Sequence, residues 1–182
     1  EALKYLDQFQ RTRRGTPIDE HGNEQQLVVF ALGKLGAQEL NFSSDVDLIF
    51  AYPCVGETSG HRARISNHEY FVELARTLID VLQRPTADGF VFRVDMRLRP
   101  FGSAGTLAMS FDAMQEYYQN HGRDWERYAL IRMRPIAGDL QSGNELIEQL
   151  HPFIYRRYLD FGTLESLREM KAMIEAEVSR RD

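Results

Sequence analysis

Asp45 and Asp47 flank Val46 at the head of an apolar run, 46–52, that reads as a buried strand. Residues i and i+2 of a strand share a face, about 6.5–7 Å apart along the backbone. Two carboxylates side by side on a core strand are costly unless a cation neutralises them. Oxygen-only ligands suit Mg²⁺ or Mn²⁺. Asp95 lies on the polar face of a later candidate strand, among Arg93, Arg97 and Arg99. If those strands are neighbours, Asp45, Asp47 and Asp95 converge as catalytic and metal-ligating groups. Such a set can hold two divalent ions about 3.5–4 Å apart and clamp both oxygens of an in-line phosphoryl displacement. An Asp-x-Asp pair alone is short and common, and reads more simply as a strand cap beside an arginine partner.

The surroundings change that weighting. Gly33-Lys-Leu-Gly36 lies between a buried strand and a short helical segment, where backbone can approach phosphate oxygens closely and point amides at them. A strand-ending turn explains the same two glycines. Arg97 and Arg99, in an Arg-Leu-Arg-Pro run followed by Gly102 and Gly105, can hold a phosphate bidentately beside the metals. The alternative is a solvated polar strand face, which does not explain three arginines around one acid. Lys34 reads equally as solvated or functional, and Ser43 and Ser44 as donors or as a turn. Trp125 and Tyr128, at helical spacing, read as core rather than as base-stacking platforms. Arg123, Arg127, Arg132 and Arg134 read as solvated helix arginines. His61 and His68 lack ligand-like companions, and Tyr155 and Tyr158 read as packing.

The elements that must position these groups come from patterning. The 182 residues, 43% hydrophobic and 27% charged, suffice for one domain with a real core. No apolar run approaches the ~20 residues of a bilayer span, so no membrane partner is expected. A net charge of -5, from 22 basic and 27 acidic residues, argues against a surface built to grip nucleic acid. The one cysteine, Cys54, permits neither an internal disulfide nor a cysteine zinc site, which points to a reducing cytoplasmic location. The chain opens without Met and stops inside a helical pattern, so a fragment of a longer protein is expected.

Residues 27–32 and 46–52 read as central strands. Residues 37–41 suit one or two helical turns, and 54–65 an exposed loop. Ser66 and Glu69 have capping-box spacing ahead of Phe71, Leu74, Ala75, Leu78 and Leu82. Residues 90–98 alternate cleanly, with Phe92, Val94, Met96 and Leu98 on one side. Ser110 caps a helix carrying Met114, Tyr117 and Tyr118 inward; a second helix at 124–131 is closed by Pro135, and another starts after Gly138. From Thr163 an amphipathic stripe runs through Leu164, Leu167, Met170, Ile174 and Val178. The outline is α+β, three strands with interspersed helices: a partial N-terminal helix and linker at 1–26, a core at 27–109, and a helical C-terminal part at 110–182.

Leu35-Gly36 followed by Asp45-Val-Asp47-Leu resembles the nucleotidyltransferase signature of the DNA polymerase β superfamily, with Val94-Asp95-Met96 supplying the third carboxylate. The pattern departs at Ala37, where a second Gly or Ser is usual. The longer strings Gly33 to Phe50, Asp88 to Pro100 and Gly122-Arg-Asp-Trp-Glu-Arg-Tyr128 resemble the glutamine synthetase adenylyltransferase family, bifunctional adenylyl-transferring and adenylyl-removing enzymes. The likeness covers about residues 27 to 178, and these strings are far more specific than Asp-x-Asp. It implies a polymerase β-like nucleotidyltransferase catalytic core at 27–109, a mixed sheet with flanking helices. Asn41-Phe-Ser-Ser44, Arg123 to Tyr128 and Phe153 to Asp160 look like the N-terminal, adenylyl-removing half of that enzyme.

The implied reaction is phosphorolysis of adenylylated tyrosine on glutamine synthetase, giving ADP and unmodified tyrosine. Asp45, Asp47 and Asp95 would hold Mg²⁺ (or Mn²⁺), and Gly33, Gly36 and Ser44 would line the nucleotide phosphate. Arg97 and Arg99 would orient the attacking inorganic phosphate, a reading from charge and placement. The implied partners are glutamine synthetase, phosphate, ADP or ATP and, in a full enzyme, a PII-type nitrogen signal protein. Two alternatives stand beside this: the ATP-dependent adenylylating half, and a non-catalytic docking module of the same fold.

Overall fold

The computed structural model describes residues 1–155 apart from Ser43, His61, Arg62 and Asp88, together with residues 165, 168–173 and 176. Tyr158, His61, Ser43 and all of the expected stripe after Thr163 except Met170 lie outside the described residues.

Two runs of apolar residues make the centre. β2 (Val28–Ala31) pairs antiparallel with β3 (Val46–Tyr52), in register Val28↔Ala51 to Ala31↔Leu48. Both are buried on two faces, which is why they read as continuous apolar runs and not as alternation. Even-numbered β3 residues Val46, Leu48, Phe50 and Tyr52 pack with Leu3 of α1 (Ala2–Arg14) and with Tyr70, Phe71, Leu74, Ala75 and Leu78 of α3 (Asn67–Gln83). The opposite face, with Ile49, Ala51, Val28 and Phe30, packs on α4 (Phe111–Asn120), α5 (Asp124–Leu130) and α6 (Leu140–Ile154). Helices therefore cover both faces of the sheet. Ser66 Oγ accepts from Glu69 N at 3.1 Å and Ser110 Oγ from Ala113 N at 3.3 Å, so both expected serine caps open their helices.

The sheet is mixed. β5 (Val94–Asp95) and β6 (Ala108–Ser110) lie one after the other along the same edge of β3, both parallel to it. β7 (Arg134–Gly138) closes the other edge, antiparallel to β2, so the strand order is β5-β3-β2-β7 with β6 beside β3. β7 corrects the expectation that Pro135 closes a helix: a strand runs through it within the otherwise helical C-terminal part. Proline lacks the ladder N–H, yet an edge strand tolerates it, and here the register slips between Val29 and Phe30 opposite Pro135. β6 straddles position 109, so the sheet draws on chain from both sides of that division.

Other differences have local causes. β1 (Thr16–Ile18) and β4 (Glu57–Ser59) form a small antiparallel ribbon, the second strand within the 54–65 stretch expected as an exposed loop; three-residue strands with only Pro17 and Thr58 buried leave almost no sequence pattern. Residues 37–41 do not form a helix: Gln38 turns into the left-handed region at φ 64°. Only two of residues 90–98 are paired, and Phe90, Val91 and Phe92 are exposed. Among the described residues no helix is long and apolar enough to cross a membrane.

On α5 the buried face is the reverse of the one expected. Trp125 and Tyr128 are 36% and 53% exposed, whereas Glu126 and Arg127 are 2% and 6% exposed. Glu126 accepts from Tyr117 Oη at 2.7 Å and from Arg123 N at 2.9 Å; Arg127 reaches Asp124 at 2.6 Å and the Phe153 carbonyl at 2.8 Å, with its guanidinium over the Phe153 ring. Glu126→Ala strips two donors of a charged acceptor, and a loss of about 1–3 kcal/mol in unfolding free energy is expected on chemical denaturation.

Candidate active site

The parallel register pairs Val46 with Val94 and Asp47 with Asp95. Partners directly opposite in a sheet share a face, so Asp47 and Asp95 stand side by side, while Val46 and Val94 point into the core beneath α3. Asp45 precedes Asp47 by two residues at the mouth of β3, and its side chain is half exposed. Burial, then the charges of Asp95 and Asp45, raise the Asp47 carboxyl above the ordinary carboxylate range. The structure places Asp95 beside Asp47, with Asp45 two residues earlier in the chain.

Each outer acid faces an arginine. Arg93 Nε lies 2.6 Å from Asp45 Oδ1. Arg97 Nε lies 2.8 Å from Asp95 Oδ2, and Arg97 N donates to Asp95 Oδ1 at 2.8 Å. These bonds hold the Asp95 carboxyl below its ordinary range. Among the described residues no three His, Cys, Asp or Glu side chains are gathered as ready-made metal ligands. Asp47 and Asp95 stand at the end of two adjacent strands, and the charges of Asp95 and Asp45 both act on the Asp47 carboxyl, with Arg97 opposing them.

Beside the acids opens a pocket of about 350 Å³ lined by Gly33, Lys34, Asn41, Ser44, Asp45, Asp47 and Arg93. Gly33 begins the single helical turn α2 (Gly33–Gly36), and Leu32 N donates to the Asp47 carbonyl at 3.0 Å, which ties this turn to β3. A side chain at Gly33 would meet Asp47 Oδ2 at 2.5 Å, so only glycine leaves that carboxylate its place. Lys34 Nζ donates to Ser44 Oγ at 3.3 Å, and Ser44 Oγ contacts Asn41 Oδ1.

Three expected site residues do not line the pocket. Gly36 is buried and does not line the pocket; its Cα packs against the Ala31 and Arg132 carbonyls, and its own carbonyl accepts from Arg134 Nε at 3.2 Å. Arg99 turns into its own loop, donating to the Met96, Ser103 and Gly105 carbonyls at 2.7, 3.1 and 3.1 Å. Those bonds stitch residues 96–105 together, while the Arg99 charge still acts on the Asp95 carboxyl. Arg97 stays beside Asp95 without lining the pocket. The arginine that does line it, Arg93, was read in the sequence only as a neighbour of Asp95. Arg134 was missed too: by donating also to the Leu35 carbonyl at 3.1 Å, it fixes the end of α2 against β7.

Residues 1–149 match the family described as glutamate-ammonia ligase adenylyltransferase. The chain belongs to that family. It is 59% identical to the bifunctional glutamine synthetase adenylyltransferase/adenylyl-removing enzyme of Nitrosococcus oceani over 98% of its length, and 55% identical to that of Hahella chejuensis over 100%. The enzyme of the same name from Pseudomonas aeruginosa is 54% identical over 99%. The chain spans about a fifth of the length of these relatives (19%, 19% and 18%). Asp45, Asp47 and Asp95 all lie within the residues that match the glutamate-ammonia ligase adenylyltransferase family.

Proposed function

We propose that this segment is the adenylyl-removing nucleotidyltransferase domain of a bifunctional cytoplasmic enzyme that controls glutamine synthetase. The observation that carries the reading is the register Asp47↔Asp95, which puts a third carboxylate beside the Asp45/Asp47 pair at the wall of a pocket holding Gly33, Lys34, Ser44 and Arg93. Family membership and the mixed sheet with helices on both faces support a polymerase β-like nucleotidyltransferase core.

In this reading inorganic phosphate attacks the adenylyl phosphorus of adenylyl-tyrosine in line. A phosphorus–oxygen bond to phosphate forms, the bond to the tyrosyl oxygen breaks, and the phenolate takes a proton from water. The products are ADP and tyrosine. A phenol with pKa near ~10 is a tolerable leaving group once charge on the phosphate is offset. Asp45, Asp47 and Asp95 would hold Mg²⁺ or Mn²⁺, whose chemistry is to withdraw charge from the scissile phosphate and fix its orientation. Gly33 leaves room for the Asp47 carboxylate, and Lys34, held by Ser44, supplies a cation for phosphate oxygens. Glutamine synthetase, phosphate and ADP or ATP are the partners this chemistry needs, and a PII-type signal protein is the proposed regulator of the whole enzyme.

The test uses the full-length enzyme with Asp45→Asn. ADP release from adenylylated glutamine synthetase and phosphate is expected to fall by at least ~10², with ATP-dependent adenylylation kept. Loss of adenylylation with ADP release intact assigns the chain to the other half. Retention of both activities in a folded variant reduces it to a docking module.

A further inference from the structure

Arginines gather on the outer side of the α1/α3 pair. A pocket of about 300 Å³ there is lined by Phe9, Arg13 and Arg14 of α1 and by Glu73, Arg76 and Thr77 of α3. Arg14 grips Glu73 with both ends of its fork, Nη2 at 2.7 Å and Nε at 3.2 Å. That pair occupies the one carboxylate lining the pocket among the described residues. Arg13 lies over the Phe9 ring, its guanidinium carbon 5.8 Å from the centroid. Among the described residues neither Arg13 nor Arg76 has a carboxylate partner. Elsewhere the chain ties its guanidiniums down internally, Arg11, Arg127 and Arg132 on carboxylates and Arg99 and Arg134 on carbonyls. On a chain of net charge -5, this pocket is a local excess of positive charge.

The same side of α1 is also apolar and open. Tyr5, Phe9 and Arg13 recur at every fourth residue and so form one stripe along the helix. Tyr5 and Phe9 are 74% and 62% exposed. A lone exposed aromatic is ordinary on a protein surface. Two on adjacent turns, running into arginines that lack a partner acid, have the composition of an interface centre.

This stripe stands away from the candidate active site. Val46 and Val94 point toward α1 and α3, so Asp47 and Asp95, next to them in their strands, point to the other face of the sheet. A segment lying on the stripe leaves the acids open. This chain spans only 19% of the Nitrosococcus oceani and Hahella chejuensis enzymes, so most of such an enzyme lies outside it.

We propose that Tyr5, Phe9, Arg13 and Arg76 form an internal docking surface for an acidic segment, bearing at least one apolar side chain, from the rest of the same full-length enzyme. The carboxylates of that segment pair with Arg13 and Arg76, and its apolar side chain covers Phe9 and Tyr5. The Arg14–Glu73 pair stays in place as the pocket wall. The contact fixes this domain against the remainder of the enzyme and keeps the face carrying Asp47 and Asp95 clear.

The test places the photocrosslinking residue p-benzoylphenylalanine at position 9 of the full-length enzyme and irradiates it with glutamine synthetase present. Peptide mapping by mass spectrometry should find position 9 joined, within one polypeptide, to an acidic stretch outside residues 1–182. Raising NaCl to about 0.5 M should lower the yield, because exposed charge pairs are screened. Arg13→Glu combined with Arg76→Glu should lower it about five-fold or more, and Arg13→Lys combined with Arg76→Lys should keep most of it. Circular dichroism checks that each variant is folded, and the salt series reads the same charges with the arginines unchanged. Crosslinks confined to residues 1–182, to a second copy of the enzyme or to glutamine synthetase overturn the internal occupant. The absence of any crosslink overturns the surface itself, and a yield indifferent to salt and to charge reversal overturns the acidic character of what binds there.

Discussion

Asp47→Asn in the full-length enzyme is expected to lower phosphorolysis by at least ~10² while leaving the protein folded, and at neutral pH slightly more stable. The two halves of that result have one origin. Asp47 is half-buried at the foot of a core strand, beside Asp95 and two residues from Asp45, and burial together with those charges holds its carboxyl above the usual range. A carboxyl whose folded pKa exceeds its unfolded value favours the fold only while protonated. Ionised Asp47 therefore weakens the fold as pH climbs from the ordinary carboxylate range, near ~4, through its raised folded value, and the penalty is complete above that. Asparagine keeps the shape and drops the charge. In metal-free buffer its unfolding transition should lie at or above that of the wild type at pH 7, and the difference should close as pH is lowered toward ~4. Added Mg²⁺ should shift the wild-type transition further than that of the variant, because an ion that binds only the folded site stabilises it. Wild-type turnover in the folded variant sinks the assignment of the acids. A clearly lower transition in metal-free buffer would make Asp47 a structural partner and not a ligand in waiting.

What the sequence disclosed about this site follows from which physical signals are local. The cost of two carboxylates on a buried strand is a local fact, so Asp45 and Asp47 stand out from Val46–Tyr52 alone. β3 and α3 are legible for the same reason, since apolar runs, helical spacing and a serine cap lie within a few residues of each other. That Asp95 joins them needed the register of β5 against β3, which no spacing gives; its place was anticipated only by asking what two unpaired acids require. Arginine partners are long-range choices of equal local cost, which no local pattern separates. Arg99 and Arg93 look alike in an alternating run, yet one stitches its own loop and the other lines the pocket. β7 was hidden by Pro135, a residue that stops helices and central strands but sits without penalty on a sheet edge. On α5 the aromatic residues drew attention to the wrong face, because a buried Glu126 and Arg127 with their bonds satisfied have no apolar signature.

Gly33→Ala should separate a site effect from backbone strain, with Gly22→Ala as its partner. Gly33 and Gly22 both hold left-handed backbone, φ +54° and +84°, so alanine at either is strained by about 1–2 kcal/mol. Their surroundings differ. An added Cβ at Gly22 meets nothing within 4 Å, whereas at Gly33 it falls 2.5 Å from Asp47 Oδ2. That separation is shorter than carbon and oxygen tolerate, so either the Asp47 carboxylate or the α2 turn must shift. The turn is held at its far end by Arg134 on the Leu35 and Gly36 carbonyls and at its near end by Leu32 on the Asp47 carbonyl. The carboxylate is the softer of the two and moves. A displacement near 1 Å in a charge-positioning group costs on the order of 10² in rate. Both variants should therefore lose similar stability in thermal unfolding, but only Gly33→Ala should lose phosphorolysis, by roughly 10²-fold. Equal activity in the two variants would show that the contact between Gly33 and Asp47 has no bearing on the chemistry, and the pocket beside the acids would lose its claim to the phosphate.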